Sequence, residues 1–130
     1  MRARICLLLL APLALVLSLE KVGAASLEGI WSGSGVVNPK GGQREKVHCR
    51  IRYRRESENV FGVAATCATT SVKIRQTGKL LKVKPTRYVG DFYNPAYDVS
   101  GRVRVIVRGS VQTVTFKSAR GSGSVTLSKR

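Results

Sequence analysis

Residues 45–68 read Glu45-Lys46-Val47-His48-Cys49-Arg50-Ile51-Arg52-Tyr53-Arg54-Arg55-Glu56-Ser57-Glu58-Asn59-Val60-Phe61-Gly62-Val63-Ala64-Ala65-Thr66-Cys67-Ala68. Val47, Cys49, Ile51 and Tyr53 alternate with His48, Arg50, Arg52 and Arg54, the period of two that a strand with one apolar face requires. Antiparallel partners must place their side chains on the same face, and a one-residue slip reverses every one of them. If Cys49 lies opposite Cys67, then Ile51 faces Ala65, Tyr53 faces Val63, and Arg55 meets Phe61 across the loop from Glu56 to Val60. The register is self-consistent, and cysteines directly opposite each other on paired strands are close enough to form a disulfide.

The same alternation recurs from Ile30 to Leu127 between Gly, Asn, Ser and Pro punctuation, and no stretch sustains a helical period. Strands are expected near 29–37, 45–55, 60–68, 71–76, 79–84, 87–93, 97–108, 111–117 and 122–128. Two tight hairpins are expected at glycine-containing turns. Around Gly109-Ser110, Val105 faces Val114 and Val103 faces Phe116. Around Thr77-Gly78, Ile74 faces Leu81, Val72 faces Val83 and Lys73 faces Lys82. Tyr97, Val99, Gly101, Val103, Val105 and Val107 share one face of a long strand entered through Asn94-Pro95. The small residues of Gly33-Ser34-Gly35 and Gly121-Ser122-Gly123-Ser124 permit close backbone approach where first and last strands meet. The fold expected is all-β: a small antiparallel up-and-down barrel of eight to nine strands with one disulfide.

The start of the chain has a different character. Met1-Arg2-Ala3-Arg4 is basic, Ile5 to Leu19 is almost wholly apolar, and Val22-Gly23-Ala24-Ala25 supplies small residues. That is the layout of a cleavable secretory signal; the apolar run is shorter than the roughly 20 residues of a spanning helix. Residues 1–25 are therefore expected to direct export, and residues 26–130 to form a single periplasmic or secreted domain with no transmembrane segment. In that domain Cys49 and Cys67 are the two remaining cysteines, in a compartment that favours their oxidation. A structural disulfide suits their spacing better than a redox pair, which would favour Cys-x-x-Cys.

At Gly29-Ile30-Trp31 the chain resembles the Gly-x-Trp that opens the first strand of lipocalin-like and avidin-like barrels. The resemblance covers this motif and the strand count. It implies a calycin-like architecture with Trp31 plugging one end, and carries over no ligand. Small exported bacterial barrels of unassigned function are similar in length, glycine-rich strands and paired cysteines.

Chemistry has few carriers. Residues 26–130 contain one histidine, His48, and the carboxylates Glu28, Glu45, Glu56, Glu58, Asp91 and Asp98. No cluster of ligands marks a metal site, and neither a cofactor nor a catalytic residue is expected. Asp91 and Asp98 flank Phe92-Tyr93-Asn94-Pro95-Ala96-Tyr97, which forms either a wall or lid of Phe92, Tyr93 and Tyr97 over a barrel mouth or a simple hairpin turn with Asp98 bonded locally.

Charge is the most informative feature. The full chain carries +16; without Arg2, Arg4, Lys21 and Glu20 of the signal, 20 basic and six acidic residues leave +14. Solubility needs far less, and self-repulsion opposes compactness. Arg50, Arg52, Arg54, Lys73, Arg75, Lys82, Arg102 and Arg104 fall on outward positions, where arginine forks suit phosphate. The leading expectation is a non-enzymatic envelope protein binding anionic lipid or polysaccharide, such as lipopolysaccharide, phospholipid headgroups or cell-wall polymers. Export argues against intracellular nucleic acid. The alternatives are a lipocalin-like carrier of a small apolar ligand inside the barrel, and an inhibitor of an extracellular hydrolase acting through loops 38–44 or 91–97.

Overall fold

One apolar face per strand can be hidden from water without leaving exposed sheet edges only if the sheet closes on itself. The computed structural model describes Pro12 and residues 26–130; the export signal expected over 1–25 lies, Pro12 apart, outside the described residues. Eight strands follow in order: β1 (Gly29–Pro39), β2 (Glu45–Arg55), β3 (Val60–Ala68), β4 (Lys73–Lys84), β5 (Arg87–Asn94), β6 (Val99–Arg108), β7 (Val111–Ser118) and β8 (Gly121–Lys129). Each pairs antiparallel with the next, and β8 returns to β1, giving a closed up-and-down barrel.

The β2–β3 register is the one the alternation dictates: Cys49 opposite Cys67, Ile51 opposite Ala65, Tyr53 opposite Val63 and Arg55 opposite Phe61. Cys49 and Cys67 are bonded with their Cα atoms 4.1 Å apart. Closing a loop of this length stabilises the fold by about 3 kcal/mol in the chain-entropy account. The β6–β7 hairpin likewise sets Val105 against Val114 and Val103 against Phe116.

Two expectations are corrected. The chain does not turn at Thr77-Gly78, and the segments 71–76 and 79–84 are one strand, β4. Ile74 faces Cys67, Leu81 lies between Val60 and Val89, and Lys73 and Lys82 stand opposite Ala68 and Tyr88 instead of each other. Val72 precedes the strand and Val83 projects outward, 48% exposed. The reason is that the inward alternation Ile74, Gln76, Gly78, Leu80 runs unbroken through the glycine. Gly78 serves close backbone approach there, since a Cβ would lie 2.2 Å from the Asp91 carbonyl oxygen. Tyr97 is the second correction. It sits in the turn before β6, because Asp98 adopts a positive φ of 49° that interrupts the extended run.

Burial along the barrel axis is uneven. At one end Leu27, Trp31, Phe61, Tyr88, Val107 and Leu127 are buried, with Phe61 and Tyr88 edge to face at 5.3 Å. Trp31 is wholly inaccessible; its Nε1–H donates to the Leu27 carbonyl at 2.9 Å, and Lys129 Nζ lies 5.7 Å from its ring. Truncating such a side chain costs about 3–5 kcal/mol. Towards the other end, where the β1–β2, β3–β4, β5–β6 and β7–β8 loops gather, the inward residues Ile74, Val99 and Val103 are only half-buried.

The seam between β1 and β8 depends on Gly33 and Gly35. A Cβ on Gly35 would lie 1.8 Å from the Ser124 carbonyl oxygen, and one on Gly33 1.9 Å from that of Thr126. Gly35→Ala must therefore push backbone apart, and a loss of about 2–3 kcal/mol is expected from urea unfolding. Amide exchange should accelerate along β1 and β8 while the disulfide-linked β2–β3 hairpin stays protected; an unchanged unfolding midpoint would contradict this account of the seam.

Candidate ligand-binding cavity and the basic outer faces

The half-burial of inward side chains marks a hollow. A cavity of about 310 Å³ occupies the open half of the barrel. Its walls are largely aliphatic, with Val47, Ile51, Val63 and Val103 among them, and the Cys49–Cys67 disulfide forms part of the lining. Phe92 and Phe116 meet edge to face at 6.1 Å. The tips of their rings occupy the space that a Cβ on Gly101 or Gly123 would need, so these glycines make room for the aromatic side chains inside the barrel.

Polar groups in the lining are few. Tyr53, Gln76 and Asn94 point inward, and Glu45 and Arg120 stand at the mouth. Tyr53 donates its hydroxyl to Gln112 Oε1 at 2.6 Å, and burial pushes its ionisation well above the ordinary tyrosine range. Gln112 is buried, and its Nε2 has no hydrogen-bond partner among the described residues. Asn94 Oδ1 accepts from the Ala96 amide at 3.1 Å and fixes the turn at the mouth. Glu45 Oε1 accepts from the Ser71 hydroxyl at 3.0 Å.

Of the aromatic residues expected as plug or wall, Phe92 and Tyr97 line the cavity. Trp31 lies at the opposite, filled end. Tyr93 projects outward, 45% exposed, and donates to Asp98 Oδ1 at 3.2 Å. That hydrogen bond, and then the aspartate charge, raise its ionisation. The 92–97 segment thus combines both arrangements: an Asp98-anchored turn, with two of its three aromatics on the cavity.

Seven residues of the expected basic set, Arg50, Arg52, Arg54, Lys73, Arg75, Arg102 and Arg104, are exposed on the outside, while Lys82 is half-buried at an irregularity in β4. His48 lies among them and shares a hydrogen bond with Ser34 Oγ at 3.1 Å. Among the described residues the ion pair is Glu56 to Lys79, 2.8 Å. No group of three His, Cys, Asp or Glu side chains among the described residues could hold a metal ion. Gln112, Gln76 and Asn94 are the polar interior residues that motif reading passes over. Their signal is parity: each shares the alternation of apolar neighbours and so must point inward.

No protein-family model matches the sequence, and no curated protein is significantly similar to it. Among solved structures, the redesigned β-barrel mFAP1 bound to DFHBI is 13% identical, with a TM-score of 0.67 over 83% of this chain and 98% of its own. A de novo designed fluorescence-activating β-barrel is 13% identical, with a TM-score of 0.63 over 83% and 97%. The S-type phycobiliprotein lyase from Guillardia theta is 9% identical, with a TM-score of 0.47 over 86% and 97%. The likeness to the two designed barrels shows the fold: this chain is an eight-stranded antiparallel barrel, here with a cross-strand disulfide.

The Tyr53–Gln112 pair makes a specific energetic demand. Tyr53→Phe leaves Gln112 Oε1 without its donor and should cost about 1–3 kcal/mol, whereas Tyr53→Phe combined with Gln112→Leu should recover part of the loss. The raised ionisation of Tyr53 gives stability that is full below pH 10.0, the ordinary tyrosine value, and is lost as pH rises above it. Urea unfolding of both variants across alkaline pH checks this; additive single losses, or an alkaline slope unchanged in Tyr53→Phe, would refute the assignment.

Proposed function

We propose that the protein is a non-enzymatic carrier that holds one small, mostly apolar ligand in the open half of its barrel. The observation that carries this reading is the cavity of about 310 Å³, at the lower end of the roughly 300–1,000 Å³ of small-molecule sites. Its composition supports it too. Apolar walls supply burial, and a few polar groups are placed to orient what enters: Gln76 on the wall and Asn94 near the mouth. A barrel of eight strands can be filled by its own side chains or hold one small ligand; here one half does each. The filled half, plugged by Trp31, supports a calycin-like reading of Gly29-Ile30-Trp31. The disulfide supports a working place outside the reducing interior, in keeping with the expected export signal.

A second reading, contact with an anionic partner outside the cell, rests on the exposed arginines and lysines of the outer faces and is independent of what the cavity holds.

Ala65 lines the cavity between Ile51 and Gln76 on the neighbouring strands. Titration of the purified protein with a neutral apolar fluorophore such as N-phenylnaphthylamine should give one site per barrel. Ala65→Leu should weaken it by about tenfold, 1.4 kcal/mol, while leaving the thermal midpoint unchanged or raised, because a filled cavity is better packed. Absence of saturable binding by the wild-type protein would overturn the carrier reading.

A further inference from the structure

The continuous course of β4 has a consequence on the outside of the barrel. Along β3 the outward residues are Gly62, Ala64, Thr66 and Ala68, all small. On one side their ladder partners on β2 are Arg54, Arg52, Arg50 and His48. On the other side, on β4, they are Lys79, Thr77, Arg75 and Lys73. Two basic rows therefore stand about 10 Å apart, two strand spacings, with successive side chains in each row about 6.8 Å apart. Between them the floor is one strand wide and bears only small side chains, with the Glu56 carboxylate lying over Gly62 at one end. An open depression at the β2–β3-loop end of this face is bounded by Arg52, Arg54 and Lys79, together with Glu56, Asp91 and Tyr93.

The charge in this valley is uneven. At the end nearer the β2–β3 loop, Glu56 pairs with Lys79, and Asp91 lies across the ladder from Lys79. The rest of the valley contains Arg50, Arg52, Lys73 and Arg75, all exposed, and the Glu56–Lys79 pair is the ion pair found among the described residues. Holding these cations within about 7–10 Å of one another is mildly unfavourable, and an anion lying between the rows would relieve it.

We infer that the β2–β3–β4 valley binds an extended, phosphate-bearing polyanion chain. Shape selects this occupant. A flat lipid surface would meet only the tips of the two rows, whereas a single chain can rest on the β3 floor and present successive anionic groups to both walls. Chemistry selects phosphate, because the planar arginine fork donates two parallel hydrogen bonds to it. The β3 floor and both walls carry no Phe, Tyr or Trp side chain, and Tyr93 stands on β5 beyond the Lys79 wall, so recognition lies with the backbone anions of the chain and not with flat rings attached to it.

The test measures binding of the purified protein to long-chain inorganic polyphosphate, to inorganic phosphate and to phosphatidylglycerol vesicles across a salt series. Two triple variants remove equal charge: Arg50→Gln with Arg52→Gln and Arg75→Gln in the valley, and Arg102→Gln with Arg104→Gln and Arg108→Gln on β6. The valley variant should lose about tenfold or more in polyphosphate affinity and lower the salt slope by about three, while the β6 variant changes affinity by less than about threefold. Both should keep the wild-type thermal midpoint and the wild-type affinity of the cavity for N-phenylnaphthylamine, which separates loss of the valley from loss of the fold. Equal losses in the two variants would reduce the effect to bulk charge and overturn the inference. So would polyphosphate binding no tighter than that of inorganic phosphate, or valley-dependent binding that favours vesicles over polyphosphate.

Discussion

Closure between β1 and β8 is the contact on which the rest of the molecule depends. Nine residue pairs, from Trp31 opposite Lys129 to Pro39 opposite Gly121, complete the ladder. Without them the first and last strands would be open edges, and the apolar faces of all eight strands would share one wet margin. The approach is possible because Gly33 and Gly35 have no side chain to hold the two backbones apart. The seam also fixes the ends of the described chain: Lys129 Nζ donates to the Ser26 carbonyl at 2.7 Å beside the buried Trp31. The tryptophan plug and the seam are one structure, because Leu27, which accepts from Trp31, sits just before the strand that closes the barrel.

Once closed, the barrel divides its interior unequally. Large side chains, Trp31, Phe61, Tyr88 and Leu127, fill one half, and in the other half inward positions with little or no side chain, such as Ala65 and Gly78, leave space between the larger residues. The filled half supplies most of the packing, so the hollow half can remain open without the fold depending on what occupies it. The disulfide lies in this second half, tying β2 to β3 beside the cavity. A covalent link that supplements a limited core is a common solution for domains of about a hundred residues.

The outer surface answers to the inner alternation. Every inward apolar residue on β2 obliges its neighbours to face out, and there the sequence places His48, Arg50, Arg52 and Arg54. The exposed cations oppose compactness, and Glu56 to Lys79 offsets only a little of that repulsion, since exposed pairs contribute about 1 kcal/mol or less. The disulfide, the plug and the closed ladder carry the fold against this charge.

The sequence by itself determined the class of fold, the β2–β3 and β6–β7 registers, the disulfide and the inward or outward sense of the residues in those two hairpins; over 79–84 the sense is the reverse of the expected one, with Leu80 inside and Leu81 and Val83 outside. These follow from a period of two and from short hairpins, both local properties of the chain. Gly78 shows where local reading stops. A glycine after a threonine suits a tight turn and a crowded strand equally, and only the presence of β3 and β5 on either side, pairing with Thr77 and Gly78 at once, decides for the strand. That decision moves Lys73 and Arg75 to the far wall of the β3 valley. Tyr97 is similar: its alternation matches β6, but the backbone reversal at Asp98 keeps it at the mouth. The cavity was beyond sequence for a related reason. Whether inward residues meet or leave space depends on the sum of side-chain volumes at each level of a closed ring, and that sum exists only once all eight strands have taken their places.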